Sequence, residues 1–96
     1  MTLRDELTAK RDEILQIART HGARDVRVFG SVLHGEDRPD SDVDLLVAVG
    51  PKTSSWFPAG LVIDLERLMG RKVDVVTESM LHWSIRDEIL REAKPL

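Results

Sequence analysis

The sequence predicts an α/β or α+β sandwich, a single small sheet covered by helices. Three observations predict it. Apolar residues recur at helical spacing over 3–20, 58–69 and 78–93, and short β-branched runs occupy 25–29, 43–49 and 72–77. The length of 96 residues supplies one core and no more, burying roughly 60–65% of the unfolded surface. One domain over residues 1–96 is therefore expected.

Leu3, Leu7, Ile14 and Ala18, with Leu15 and Ile17 beside them, define an amphipathic helix over 3–20, with Thr2 as N-cap and Gly22 as stop. Val26 and Val28 alternate with Arg27 and Phe29 in a first strand, Asp25–Phe29. Val43–Val49 is almost continuously apolar after Asp44, as expected of a central strand buried on both faces. Gly50 to Ser55 has loop chemistry. A second helix follows over Pro58–Met69, closed by Gly70. Lys72–Thr77 is a third strand. The tail from Glu78 to Ala93 is a third long helix with Leu81, Ile85, Ile89 and Leu90 as its buried edge, ended by Pro95. The order is αβ(α)βαβα, with a short helix and turn in 32–41.

The net charge of −3 and a pI near 5.5 give no basic footprint for general nucleic-acid binding, so nucleic acid is disfavoured as a partner. Absence of cysteine excludes disulfides and thiolate chemistry and suits a reducing cytosol. No segment has signal-peptide character, and none approaches the roughly 20 apolar residues that span a bilayer. A soluble cytoplasmic protein without a membrane partner is expected.

Chemistry concentrates in residues 30–44. Gly30-Ser31 closes the first strand, and ten residues later Asp42-Val43-Asp44 opens the second. Gly-Ser suits close backbone contact with phosphate. Asp42 and Asp44 point to one face of their strand, about 7 Å apart. Antiparallel pairing of the first two strands brings both features to one rim, and the segment after Val49 is long enough for a crossover that would set the third strand parallel to the second. Asp74 then joins them. A charge inside Lys-Val-Asp-Val-Val is costly unless compensated, and a cation would compensate it. Three carboxylates suit Mg²⁺, a hard ion that shares its shell with phosphate oxygens. Two ions about 3.5–4 Å apart would clamp the oxygens of an in-line displacement at phosphorus. Asp42 and Asp44 would bridge them, and Asp74 would serve the attacking hydroxyl. Ser31 and the amides near Gly30 would hold the β- and γ-phosphates of a nucleoside triphosphate.

Gly-Ser or Asp-x-Asp alone is an ordinary structural feature; the ordered set carries the functional reading. Two lookalikes fail. Asp40, Asp42 and Asp44 mimic an EF-hand opening, but Leu45 stands where Gly is needed and Pro51 where the bidentate Glu belongs. Gly30 and Gly35 have Walker-A spacing, but Glu36-Asp37 follow instead of Lys-Ser/Thr. His21, His34 and His82 lack ligand spacing and read as surface or turn residues, with His34 nearest the site. Trp56-Phe57 before a helix reads as a hydrophobic staple or core lid. Arg38, Lys52, Arg67, Arg71 and Lys72 read as solvated charges, with one or two of them able to reach phosphate.

Over nearly its whole length the chain resembles the minimal nucleotidyltransferases (MNT) of the DNA polymerase β superfamily. The resemblance rests on Phe29-Gly30-Ser31, Ser41-Asp42-Val43-Asp44-Leu45-Leu46-Val47, Met69-Gly70-Arg71-Lys72 and Val73-Asp74-Val75-Val76. It implies the polymerase β-like fold, a small mixed three- to four-stranded sheet flanked by helices. Asp42, Asp44 and Asp74 would then be the Mg²⁺ ligands and catalytic residues, and Gly30-Ser31 the ATP-triphosphate holder. Stand-alone proteins of this kind look like the antitoxin half of HEPN/MNT toxin–antitoxin pairs (type VII). The resemblance thus implies a protein adenylyltransferase, an AMPylator that moves AMP from ATP to a tyrosine of a cognate HEPN ribonuclease toxin, in a hetero-oligomer. The chain departs from the pattern at Leu33-His34, where many relatives carry small–Arg before the second glycine. Two other functions stay open: a non-catalytic antitoxin that occludes its toxin, and a nucleotidyltransferase acting on RNA or a small molecule. Net acidity and the lack of an acceptor domain count against the last.

Overall fold

The computed structural model describes residues 2–35 and 42–96. The order of elements is α1 (Leu3–Ala9), α2 (Arg11–Thr20), β1 (Ala23–Phe29), β2 (Val43–Val49), α3 (Ala59–Met69), β3 (Val73–Thr77), a 3₁₀ turn (Glu78–Met80), α4 (Trp83–Glu92) and β4 (Lys94–Pro95). The strands form one mixed sheet in the order β3-β2-β1-β4. β1 and β2 are antiparallel, and β2 and β3 parallel, as the placement of the three aspartates requires.

Alternation along the strands sorts the side chains. Val43, Leu45 and Val47 of β2, with Val73 and Val75 of β3, face a cluster completed by Leu3, Leu7, Ile14, Ala18, Leu61 and Leu65 from the first three helices. Asp44, Leu46 and Ala48 take the opposite face. Leu46 is buried there, outside that cluster, while Asp44 and Ala48 are half-buried, so the second face of β2 is covered only in part. At the outer edge of β3, the Val73 amide donates to Glu66 Oε2 at 3.1 Å, satisfying one edge group without a further strand.

Several elements differ from expectation. The helix foreseen over 3–20 is two helices meeting at Lys10 (φ −101°, ψ 11°). Lys10 Nζ donates to the Leu68 carbonyl at 3.0 Å, near the C-terminus of α3, where a cation is favoured. Thr2 caps α1 as foreseen, in a reciprocal capping box with Asp5. β1 begins two residues early, at Ala23, and carries a bulge between Arg24 and Arg27 with Asp25 at φ +51°. The tail is a 3₁₀ turn and a separate helix instead of one long helix. Nor is its apolar edge buried: α4 has no buried residue, and Ile85 is exposed, because the core is already filled by the first three helices. Pro95 lies in β4, a two-residue strand paired with Arg27 and Val28. Of the segment expected to hold a short helix, residues 31–35 form turns and 36–41 lie outside the described residues, including Arg38 and Asp40.

The Trp56-Phe57 pair divides. Phe57 packs on the core, whereas Trp56 is 88% exposed at φ +60° and forms no lid. His21 stands in a turn, as foreseen, but is half-buried and hydrogen-bonded. Its Nδ1 lies 2.6 Å from Ser54 Oγ, its Nε2 2.7 Å from Asp64 Oδ2, and its carbonyl accepts from the Ser54 amide at 3.0 Å. That Ser–His–Asp arrangement stands where β1 begins and β2 ends, about 20 Å along β1 from Gly30. It works as a latch fastening the β2–α3 loop to the end of α2. His21→Ala is expected to cost about 1–2 kcal/mol, lowering the thermal midpoint by roughly 4–8 °C per kcal/mol, with chemistry at the far rim unchanged. Thermal melts beside an activity assay check both halves.

Candidate active site

Three local features bring the acids together. The parallel register sets Asp44 directly beside Asp74, with Val43 beside Val73. Asp42 precedes Asp44 by two residues at the mouth of β2 and is half-buried. On the other side of β2, the antiparallel register sets Phe29 opposite Asp44, so the turn that begins at Gly30 rises next to the same carboxylate.

Gly30 is fixed by that proximity. Its φ is +81°, and a Cβ built there would strike Asp44 Oδ2, with Cγ only 3.2 Å away. Only a residue without a side chain allows the turn this close to the carboxylate. Behind it the chain folds tightly, the Leu33 amide donating to the Gly30 carbonyl at 3.1 Å and the Gly35 amide to the Val32 carbonyl at 3.4 Å. Ser31 is half-buried at the start of this turn and Val32 is buried beneath it. His34 is exposed, its Nε2 3.4 Å from Glu92 Oε2, tying the turn loosely to the end of α4.

The electrostatics follow from this packing. The Asp44 carboxyl is held above its ordinary range, first by burial, then by the negative charges of Asp74 and Asp42. The sequence-predicted residues therefore share one rim and sense one another. They are not a preformed cage: among the described residues no three acidic or imidazole side chains stand ready to hold an ion as placed. Like charges favour separation until a cation offsets them. The donor set nonetheless fits a hard divalent cation. It is all carboxylate oxygen, and its central member is strained in the ionised form, the condition a bound cation relieves.

Sequence reasoning missed the His34–Glu92 contact, since nothing in the local pattern predicts a partner 58 residues away. It found Gly30 but not the reason for it, which exists only across the sheet. Among the described residues no helix is long and apolar enough to cross a membrane.

Known proteins resemble this chain in sequence and fold. A family model described as Nucleotidyltransferase domain matches residues 11–96. The protein adenylyltransferase MntA of Thermococcus cleftensis is 40% identical over 86 residues, spanning 90% of this chain and 84% of the relative. A solved structure assigned as a minimal nucleotidyltransferase superposes with a TM-score of 0.85 at 47% identity, covering 100% of this chain and 97% of that one. The fold also recurs in a toxin–antitoxin crystal structure with AMP-PNP, at a TM-score of 0.72 and 18% identity, covering 91% of this chain and 69% of that one. With the Gly-Ser turn, the Asp-x-Asp strand and the parallel third aspartate in place, the chain belongs to the nucleotidyltransferase domain family, as a minimal nucleotidyltransferase homologous to MntA.

Proposed function

We propose that this protein is a Mg²⁺-dependent protein adenylyltransferase that neutralises a separately encoded HEPN ribonuclease toxin by transferring AMP from ATP to one of its tyrosines. The observation that carries the reading is the triad of neighbours around Asp44: Asp74 in register, Asp42 two residues before, and a glycine turn pressed against its carboxylate. A family relative bears the name protein adenylyltransferase, and a structural neighbour is a toxin–antitoxin pair with an ATP analogue. Both support extending that activity and setting to this chain.

Asp42, Asp44 and Asp74 would hold the cation. When bound, it would lower the charge on the phosphates and favour the ionised acceptor oxygen. The chain's own groups do the rest. Ser31 and the turn amides following Gly30 hold the triphosphate tail, keeping the α-phosphate over the acid rim. Asp74, exposed on β3, faces incoming acceptor and receives or relays the proton of its hydroxyl. The tyrosyl oxygen forms a bond to the α-phosphorus as the α–β bridging oxygen leaves with pyrophosphate. Atoms and charge balance with one proton released.

The test uses ATP labelled at the α- or the γ-phosphate, with partner and Mg²⁺. Label reaching the partner only from the α-position is expected; transfer from γ means a kinase and overturns the reading. Neutralisation by occlusion is a second reading, favoured by exposed Trp56 and Trp83, 88% and 80% accessible. The variant Asp42→Asn/Asp44→Asn separates the two in cells. Loss of protection at normal abundance is expected, whereas full protection would make catalysis dispensable.

A further inference from the structure

A hollow of about 320 Å³ lies between α2 and the outer edge of β1. Its rim carries Arg11, Arg19 and Arg24, and its floor includes Leu15, Ala18 and Val26. The cations are incompletely answered. The Arg24 side chain has no ion pair or hydrogen bond among the described residues, while its backbone pairs with Ala48 of β2. Arg19 donates to neutral Gln16 Oε1 at 3.0 Å. Arg11 donates to the Leu96 carbonyl at 2.8 Å and stands 3.5 Å from Asp12. Asp25 also lines the hollow, so its lining side chains carry three positive charges and one negative, with Asp12 beside Arg11, on a chain of net charge −3.

The bulge in β1 builds this place. With Asp25 at φ +51°, Arg24 and Asp25 are both exposed while Val26 is buried. β4 covers the edge of β1 at Arg27 and Val28, and the Leu96 amide reaches the Val26 carbonyl at 3.1 Å. The hollow continues that edge towards Arg24. An apolar floor beneath a basic rim fits a segment that alternates apolar and acidic side chains. It fits nucleic acid poorly, because its lining holds no aromatic ring on which a base could stack.

We infer that this groove docks an acidic, partly apolar segment of the acceptor protein, about 20 Å along β1 from the acid rim. The inference rests on the reading that the acceptor is a separate protein. A domain this small gains the affinity to hold such a substrate by gripping it away from the reacting group.

The test is fluorescence anisotropy, without ATP, on the full chain and on Arg19→Glu/Arg24→Glu. The probe is a fluorescein-labelled peptide of about ten residues alternating Asp with Leu or Val, compared with a Lys-for-Asp version and an oligouridylate of similar length. The acidic peptide is expected to bind, to weaken at least about tenfold in the double variant, and to weaken as salt rises. No binding of the acidic peptide, equal affinity in the variant, or tighter binding of the oligouridylate overturns the inference. In steady-state transfer to the toxin, the variant's KM for the toxin is expected to rise about tenfold, with kcat and the KM for ATP unchanged. If no chain transfers label, adenylyl transfer has failed, while the anisotropy still decides the groove.

Discussion

Asp44→Asn gives a protein that melts above the parent chain when no divalent cation is present, yet transfers no nucleotide. Burial and the charges of Asp74 and Asp42 raise the Asp44 pKa in the folded state above its ordinary value of 3.8. The folded chain then holds a proton that the unfolded chain has already lost. Stability falls as pH rises from the ordinary carboxylate range through the raised value, and the loss is complete above it. Asparagine keeps the shape without the charge, so this loss disappears. A gain of a few degrees is expected, since about 1 kcal/mol moves the midpoint of so small a domain by roughly 4–8 °C. The difference between the two proteins should shrink as pH is lowered to the point where Asp44 is protonated. Transfer should fall by on the order of 10³-fold or more, the scale of losing a charge aimed at the reacting centre. Adding Mg²⁺ with ATP should reverse the order of the melts. A ligand at 100 times its Kd stabilises by about 2.7 kcal/mol, and only the parent chain would gain it. A variant that melts lower without cation, or one that keeps its activity, would remove Asp44 from the centre of the site.

That trade between stability and function could be anticipated from the sequence, because its ingredients are local. A charge two residues into an apolar strand, and another inside Lys-Val-Asp-Val-Val, announce a cost, and strand alternation says which way each points. The length of the intervening α3 segment allowed a parallel β2–β3 pair, and the fold then set Asp44 in register with Asp74. What escaped was decided by tertiary contact. The apolar stripe skips a turn at Lys10-Arg11 but keeps its phase from Leu7 to Ile14, so periodicity alone joined two helices that part at Lys10, whose side chain is drawn to the end of α3. Asp25 at positive φ lies where the β1–β2 register shifts between Arg24 and Arg27, a feature of strand pairing that the local pattern does not carry. A two-residue strand such as β4 has no pattern to read. Ile85 has the spacing of a core residue, but a small core closed by three helices leaves it at the surface. His21 resembled any turn histidine until Asp64, 43 residues on, was folded against it.

Gly30→Ala is expected to cut transfer by on the order of 10²-fold, and a second glycine supplies the control. At Gly30 the added methyl meets two costs. The left-handed φ of +81° costs an L-residue about 1 kcal/mol, and the new Cβ collides with Asp44 Oδ2. Either the carboxylate swings away or the turn lifts off the sheet. Both outcomes separate the phosphate-holding turn from the acid rim, and a displacement of about 1 Å costs on the order of 10²-fold in rate. Gly35 pays only the first cost: its φ is +68°, but a Cβ there meets nothing within 4 Å. Gly35→Ala should therefore lower the thermal midpoint by a comparable few degrees while retaining transfer to within a few-fold. Paired melts and transfer rates on the two variants separate backbone strain from collision with the carboxylate. Equal loss of activity in both would mean that the turn's flexibility matters. Wild-type activity in Gly30→Ala would show that this turn does not hold the triphosphate against Asp44.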